Sequence, residues 1–354
     1  MKKLNNKGFA ISTMLYGILT MIILILMLLL NIMRSSYTKE NNAISDISYY
    51  LNKCVSKQVA LESCYKKYND DADNLLSCRE EYETYTSCVG SDVSLGGTSG
   101  NVSLLNRLVL DNADSSETGL IIDSTRSSGT SIRYIYIGSS PKNYIKFGNK
   151  SGRIIAIEND GTIKVMLSEN INASFDKESS AADTGVLKWT RSTLHNTINS
   201  KFVSMEYTSK VTSGKFYTGA LYNTYSAKEA IDTIRVESAD KNFGIVSVED
   251  YLKASGKLIE STNKCDLTST ASGSIATALS NCSINNWMNG GSSTCHWTLN
   301  GFNGSVNMAS FSSSGVVAKS PTSTCTANMV IYLKSTVTAN VGADGSSSNP
   351  YIID

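Results

Sequence analysis

The feature that most constrains this chain is an uncharged, largely apolar segment near its N-terminus, residues 9–33. As an α-helix, these 25 residues would rise about 1.5 Å each, which exceeds the roughly 30 Å hydrocarbon core of a bilayer. Inside a bilayer, backbone polar groups must bond to one another, and a helix satisfies them within one segment. The sequence therefore predicts a single transmembrane helix over residues 9–33.

Three lysines, Lys2, Lys3 and Lys7, precede this segment. Positive charge collects on the cytoplasmic side of membrane helices, so we expect residues 1–8 to be a cytoplasmic leader and the C-terminal domain to be extracellular. A removable signal peptide fits less well, because the apolar run exceeds the ~7–15 residues of a signal core and no small-x-small cleavage site follows it. The prediction is a permanent single-pass anchor.

The junction between the leader and the apolar segment resembles a known processing site. Gly8 and Phe9, directly before the apolar run, resemble the cleavage and methylation site of type IV prepilins. The resemblance implies cleavage after Gly8, N-methylation of Phe9, and a prepilin peptidase and other pilin subunits as partners. Thr13 stands where most pilins carry a glutamate that pairs with a neighbouring subunit, which favours a minor pilin or pseudopilin. An unprocessed signal-anchor is the alternative.

Eight cysteines form two groups of four: Cys54, Cys64, Cys78 and Cys88, then Cys265, Cys282, Cys295 and Cys325. On the outer side of a membrane we expect them to form disulfides. A zinc site would favour Cys-x-x-Cys pairs, which the sequence lacks. In the second group, bonds between sequence neighbours close the shortest loops and so cost the least conformational entropy. This argument predicts Cys265–Cys282 and Cys295–Cys325, which is one of three possible connectivities.

Residues 34–89 are predicted to form a helical stalk folded into a hairpin. They contain neither glycine nor proline, and one polar break, residues 69–74, suits a turn. Facing residues of an antiparallel hairpin have sequence numbers with a constant sum. Two cysteine pairs share one sum, with its midpoint in the turn: Cys54 with Cys88 and Cys64 with Cys78. We expect both bridges to form, since so small a hairpin has too little core of its own.

A Gly/Ser-rich linker with a short helix is expected over residues 90–130, followed by an α+β head domain over residues 131–354. The clearest hairpin joins strands at 153–158 and 162–167 through Asp160 and Gly161. Further strands are predicted at 133–138, 143–147, 296–299, 306–311, 315–318 and 329–333. Helices are predicted after Trp189, at 227–234, and after Ser247 as N-cap.

Parts of this head resemble a domain of Gram-positive bacterial surface proteins. The segments that carry the resemblance are 133–138, 143–147, 153–157 and 330–352. The helix start between Trp189 and Ser192, the segment 247–252 and the final strand order are similar to the C-type-lectin-like fold. Formylglycine-generating enzymes and some bacterial surface lectins use that fold. The resemblance implies a C-type-lectin-like α+β head.

The sequence offers little support for catalysis. No His-Glu-x-x-His, P-loop or Gly-x-Ser-x-Gly pattern occurs, and the net charge of +1 implies no nucleic-acid partner. The two histidines, His195 and His296, lack a neighbouring Asp/Glu and Ser/Cys arrangement that would form a catalytic triad. Candidate ligand contacts are the oxygen-rich loop 344–349 for calcium, and Trp287, Trp297 and Tyr332 for sugars. Histidines and aromatic residues of this kind more often pack inside a protein. We expect no metal, no cofactor and no enzymatic activity.

These features predict a membrane-anchored, pilin-like bacterial surface protein whose head binds an unidentified glycan or protein ligand. The alternative is an exported, membrane-tethered, cysteine-dependent enzyme of the formylglycine-generating type, with Cys295 or Cys325 as a reactive thiol. The state of these two cysteines separates the two functions.

Overall fold

The structure is a computed structural model that describes residues 27, 57, 59–61, 63, 64, 67, 76–90, 102–105, 108, 119–123, 126, 133–178, 185–222, 227–255, 280–289, 293–339 and 343–353. Its helices are α1 Arg79–Gly90, α2 Gly185–Arg191, α3 Thr193–Val203, α4 Ala227–Arg235 and α5 Val248–Lys253. Short 3-10 turns lie at Leu76–Cys78, Thr208–Lys210, Ser280–Ser283 and Trp287–Asn289. The fold class is α+β, as predicted.

The strands of the first half are β1 Val102–Ser103, β2 Gly119–Ile122, β3 Tyr134–Ile137, β4 Tyr144–Phe147, β5 Lys150–Ile157, β6 Ile163–Ser174, β7 Val211–Thr212 and β8 Gly214–Tyr217. Those of the second half are β9 Ser238–Lys241, β10 Phe243–Ile245, β11 His296–Gly301, β12 Met308–Ser312, β13 Gly315–Lys319, β14 Thr324–Leu333, β15 Thr338–Ala339 and β16 Tyr351–Ile353.

Fourteen of the described strands form one mixed sheet, with the path β1-β15-β16-β4-β5-β6-β14-β11-β12-β13. Strand β3 pairs with β5 on one side and with β2 on the other, while β7 and β10 both pair with β14. The pairs β4–β16 and β11–β14 are parallel and the other described pairs are antiparallel. Strands β8 and β9 form a separate ribbon. Because β1 pairs with β15, which pairs with β16, a strand that precedes the predicted head lies beside the C-terminal strands at one edge of the sheet.

The predicted hairpin at Asp160 and Gly161 is present as β5 and β6. Gly161 has φ +79°, a conformation that favours glycine, and the Thr162 N–H donates to the Asp160 side chain at 3.0 Å. The antiparallel register then places Ile157 opposite Ile163. This turn therefore fixes which side chains of β5 and β6 share a face.

The core lies along β14, nine of whose ten residues are buried. Helix α3, in the region predicted to be helical after Trp189, packs against the sheet and buries Leu194 and Ile198 on one face. Helix α5 begins as predicted at Ser247, whose side chain accepts from the Asp250 N–H, while the Asp250 carboxylate accepts from the Ser247 N–H. This capping box starts a short helix that is buried along its whole length.

Most of the predicted anchor and stalk lies outside the described residues. Of residues 9–33 only Met27 is described, and within the described part of the chain no helix is long and apolar enough to cross a membrane. In the predicted hairpin, helical residues occur on both sides of the turn segment. Those before the turn are residues 57, 59–61, 63, 64 and 67, and those after it form α1. Strands β1 and β2 belong to the sheet, although composition assigned both to the linker.

Candidate functional site

Two of the four predicted disulfides are confirmed. Cys64 and Cys78 are bonded with Cα atoms 5.8 Å apart, and Cys295 and Cys325 with Cα atoms 5.0 Å apart. Cys282 is also disulfide-bonded, and none of the cysteines described is free. The other predicted pairs lie outside the described residues, because they involve Cys54, Cys265 and the side chain of Cys88.

The bridge Cys295–Cys325 joins two neighbouring parallel strands. Cys295 immediately precedes β11, Cys325 is the second residue of β14, and His296 lies opposite Thr326. The backbone also connects them, because the Thr326 N–H donates to the Cys295 carbonyl at 2.8 Å. The two sulfur atoms therefore form a disulfide that links the start of β11 to the start of β14.

The most unusual feature of the head is a buried charge cluster between the sheet and helix α5. It consists of Asp123, Arg126, Arg133, Glu158, Lys164, Arg235, Glu249, Asp250 and Lys253. Charged side chains are rarely buried unless they are paired. The cluster contains five cations and four anions, and each cation contacts an anion.

Arg133 lies at the centre of the cluster, with only 1% of its side chain exposed. Its Nε and Nη2 donate to the two carboxylate oxygens of Glu158 at 2.9 and 3.0 Å, and Nη1 donates to Asp123 Oδ2 at 2.8 Å. The planar guanidinium matches a carboxylate in this two-pronged geometry. Arg133 therefore ties the end of β2, where Asp123 lies, to the end of β5.

Helix α5 is fastened to the same cluster through its carboxylates and its last lysine. Lys164 of β6 donates to both oxygens of Asp250 at 2.8 and 2.7 Å. Lys253 contacts Asp123 at 2.6 Å and Glu249 at 2.8 Å. Asp250 thus caps the start of α5 and also holds α5 against the sheet.

The charges in the cluster shift one another's pKa values. Desolvation by burial raises the pKa of Glu158, but the charges of Arg133 and Arg126 outweigh it and lower that pKa to about 2. Glu249 behaves similarly: burial opposes ionisation, yet Lys253 and Arg235 hold its pKa well below the usual range. Both carboxylates therefore stay ionised at neutral and mildly acidic pH.

The arrangement supports a structural role for the cluster. A small gap lined by Arg133, Tyr136, Asp250, Lys253 and other side chains leaves no room for a water molecule. Every carboxylate of the cluster has a cationic partner, so no acid or base is left exposed to a substrate. We interpret the cluster as an ionic clamp that holds the elements of the head together.

Sequence reasoning missed the clamp, although one signal was present. Strand β6 begins with Ile163, Lys164 and Val165, so Lys164 has an apolar residue on each side. All three residues are buried. A lysine at such a position needs a buried partner. The partner, Asp250, lies 86 residues away, where the sequence indicated only a helix N-terminus.

The aromatic residues considered for sugar binding are core residues. Trp287, Trp297 and Tyr332 are each at most 3% exposed. Their polar atoms are used internally, because they donate to the carbonyls of Tyr136, Ala173 and Lys215 respectively. These rings are therefore inaccessible to a sugar.

The two histidines pack against aromatic rings. His195 contacts Trp189 and Phe243 at centroid distances of 5.1 and 5.2 Å, and His296 stacks on Phe311 at 5.1 Å. Desolvation by burial lowers the pKa of both imidazoles. Both rings are therefore favoured in their neutral form and serve packing.

The polar groups of the loop 344–349 bond to one another. Asp344 accepts from the Ser346 N–H at 3.1 Å and forms an ion pair with Lys142 at 3.1 Å. Hydrogen bonds from Ser346 are the main cause that lowers the pKa of Asp344 to about 2. In the described part of the chain, His, Cys, Asp and Glu side chains nowhere gather in a group of three that could hold a metal ion.

No protein-family model, curated protein sequence or solved structure matches this chain. Its function is therefore inferred from its own residues.

Proposed function

We propose that this chain is a membrane-anchored, pilin-like bacterial surface protein, held by residues 9–33, that presents its α+β head for binding outside the cell. The observation that carries the proposal is the pair of disulfides Cys64–Cys78 and Cys295–Cys325, one in the stalk region and one in the head. Disulfides persist on the oxidising side of a membrane. The lysine-rich leader before the apolar segment would direct both regions there.

The proposed architecture gives each region a mechanical role. The Cys64–Cys78 bridge fastens helical residues to the turn preceding α1, which suits a stiff base for the head. In the head, the ionic clamp and the Cys295–Cys325 bridge connect elements that are distant in sequence. These connections would stabilise the head outside the cell.

The C-type-lectin-like description of the head is part of the proposal. It is supported by the helix capped by Ser192, the helix capped by Ser247 and the final strands, all of which form at the expected positions. We assign no ligand-binding role to its buried aromatic residues.

The first test is N-terminal sequencing of the protein purified from its native membrane. A pilin-like subunit should begin at Phe9 and carry an N-methyl group there. A chain that begins at Met1 would refute the processing step and leave only an unprocessed anchor.

The second test addresses the enzymatic alternative, which needs a thiol at Cys295 or Cys325. Their bond to each other favours the binding function. Titration of the denatured, unreduced native protein with a thiol reagent should find all eight cysteines blocked. A reactive thiol at either position would support the enzyme instead.

A further inference from the structure

Arg153 on β5 is held in an aromatic sandwich. Its guanidinium carbon lies 4.4 Å from the centroid of the Tyr144 ring and 4.4 Å from that of the Trp287 ring. Its Nε donates to Asn143 Oδ1 at 2.8 Å, and its Nη2 donates to the Pro141 carbonyl at 3.3 Å. These contacts fix the plane of the guanidinium and the direction of its unused N–H groups.

The charge of Arg153 is uncompensated among the described residues. Arg126, Arg133 and Arg235 each contact a carboxylate, whereas the described contacts of Arg153 are to rings and neutral oxygens. Desolvation by burial, opposed in part by Tyr144, lowers the pKa of Arg153, the opposite of the shift at Arg133. A partly buried cation without a counter-charge favours the approach of an anion.

The hydrogen-bonding capacity of Arg153 is also partly unused. A guanidinium has five N–H donors in a rigid fork, and Arg153 directs two of them to Asn143 and Pro141. Its side chain is only partly buried, and its other N–H donors have no partner among the described residues. A fixed guanidinium fork matches the oxygen pairs of carboxylate and phosphate.

A second cation lies on the same face of the sheet. Tyr144 is opposite Arg153 and Lys146 is opposite Ser151 in the β4–β5 register, so Lys146 and Arg153 are diagonal neighbours. Such neighbours are roughly 7–8 Å apart at Cα, within reach of long side chains. Lys146 is exposed and, in the described part of the chain, has no ion pair.

We propose that Arg153, supported by Lys146, forms a binding site for an oxyanion, the carboxylate or phosphate group of an acidic surface polymer. This inference deepens the proposed binding function and rests on it. Arg153 supplies the oriented donors, and Tyr144 and Trp287 keep them in place. Lys146 adds positive charge beside them.

The site is tested by isothermal titration calorimetry on the full-length protein in mild detergent, with inorganic phosphate, D-glucuronate and uncharged D-glucose as probes. We expect at least one of the two anions to bind and glucose not to bind. Preference for phosphate would indicate a phosphate-bearing polymer, and preference for glucuronate an acidic sugar. Absence of binding by both anions would overturn the inference.

Three variants locate the site. Arg153→Lys keeps the charge but loses the planar fork of N–H donors, and should weaken anion binding by about tenfold or more, because a lysine cannot bond to two oxygens of one anion in that geometry. Lys146→Gln should weaken it less. The matched control Lys319→Gln removes one exposed charge from β13, at the far end of the sheet path, and should bind as the wild type does. If Lys319→Gln weakens anion binding as much as Lys146→Gln does, the weakening reflects only the net charge of the protein, and the proposed site is overturned.

A measurement on the wild type avoids any folding defect in the variants. Phenylglyoxal modifies accessible arginines, and mass spectrometry reports the modified position. The anion that binds should protect Arg153 but not the exposed Arg191. Equal modification of Arg153 with and without the anion would overturn the inference. N-terminal sequencing tests the anchor separately, so a failure of the anion site and a failure of the anchor are distinguishable.

Discussion

Replacement of Glu158 by glutamine removes one charge from the ionic clamp while it preserves the shape of the side chain. In the wild type, folding lowers the pKa of Glu158 from its ordinary value of 4.5 to about 2, a difference of about 2.5. At about 1.36 kcal/mol per unit, ionised Glu158 contributes about 3 kcal/mol to the free energy of unfolding at pH 7. The side chain is 11% exposed, so solvent screens this contribution little.

The sign of the pH dependence follows from the depressed pKa. The contribution is complete above the unfolded pKa of about 4.5 and is lost as the pH falls towards 2. Glu158→Gln should therefore cost about 3 kcal/mol at pH 7 and about half of that at pH 3. For a domain of this size the deficit at pH 7 corresponds to a fall in Tm of roughly 6–12 °C.

Thermal unfolding of the full-length protein, followed by near-ultraviolet circular dichroism at pH 7 and pH 3, measures both values. Glu169→Gln is the matched control, because Glu169 also pairs with two lysines, Lys150 and Lys201, but is 38% exposed. Exposed ion pairs contribute about 1 kcal/mol at most. A Glu158→Gln deficit no larger than that of the control, or one that does not shrink at pH 3, would refute the clamp.

Three further predictions concern other parts of the chain. Gly8→Val should block leader cleavage, and an unchanged mobility of the membrane protein on a denaturing gel would refute processing. Replacement of Cys295 and Cys325 together by serine should lower the free energy of unfolding by about 2–4 kcal/mol in thermal melts, and an unchanged Tm would contradict a stabilising bridge at this position. Gly219→Ala should cost about 1–3 kcal/mol, because the added Cβ would lie 2.2 Å from the Thr233 carbonyl oxygen, and an unchanged Tm would contradict this packing.

Local chemistry explains what the sequence predicted correctly. Asp160 and Gly161 specify a tight turn, so the β5–β6 hairpin was recognisable without knowledge of its neighbours. Ser247 followed by Asp250 specifies a helix start. The pair Cys64–Cys78 followed from hairpin symmetry, and here too the two partners are close in sequence.

Long-range pairing explains what the sequence did not reveal. The parallel pairing of β4 with β16 joins residues about 200 positions apart, and no local pattern encodes it. The clamp has the same character, since Lys253 meets Asp123 across 130 positions. The sequence pattern predicts only a strand at Arg153, because its aromatic neighbour Trp287 comes from a distant 3-10 turn. Burial of a charge depends on partners that only the folded chain brings together.

We propose that the disulfide-bonded head lies on the outer side of the membrane, and surface proteolysis of intact cells can establish this location. Cells that produce the native protein are treated briefly with trypsin, and the released peptides are identified by mass spectrometry without reduction. We expect release of head peptides, including a pair joined by Cys295–Cys325. A head that stays uncut in intact cells, yet is cut once the cells are lysed, would contradict its display outside the cell.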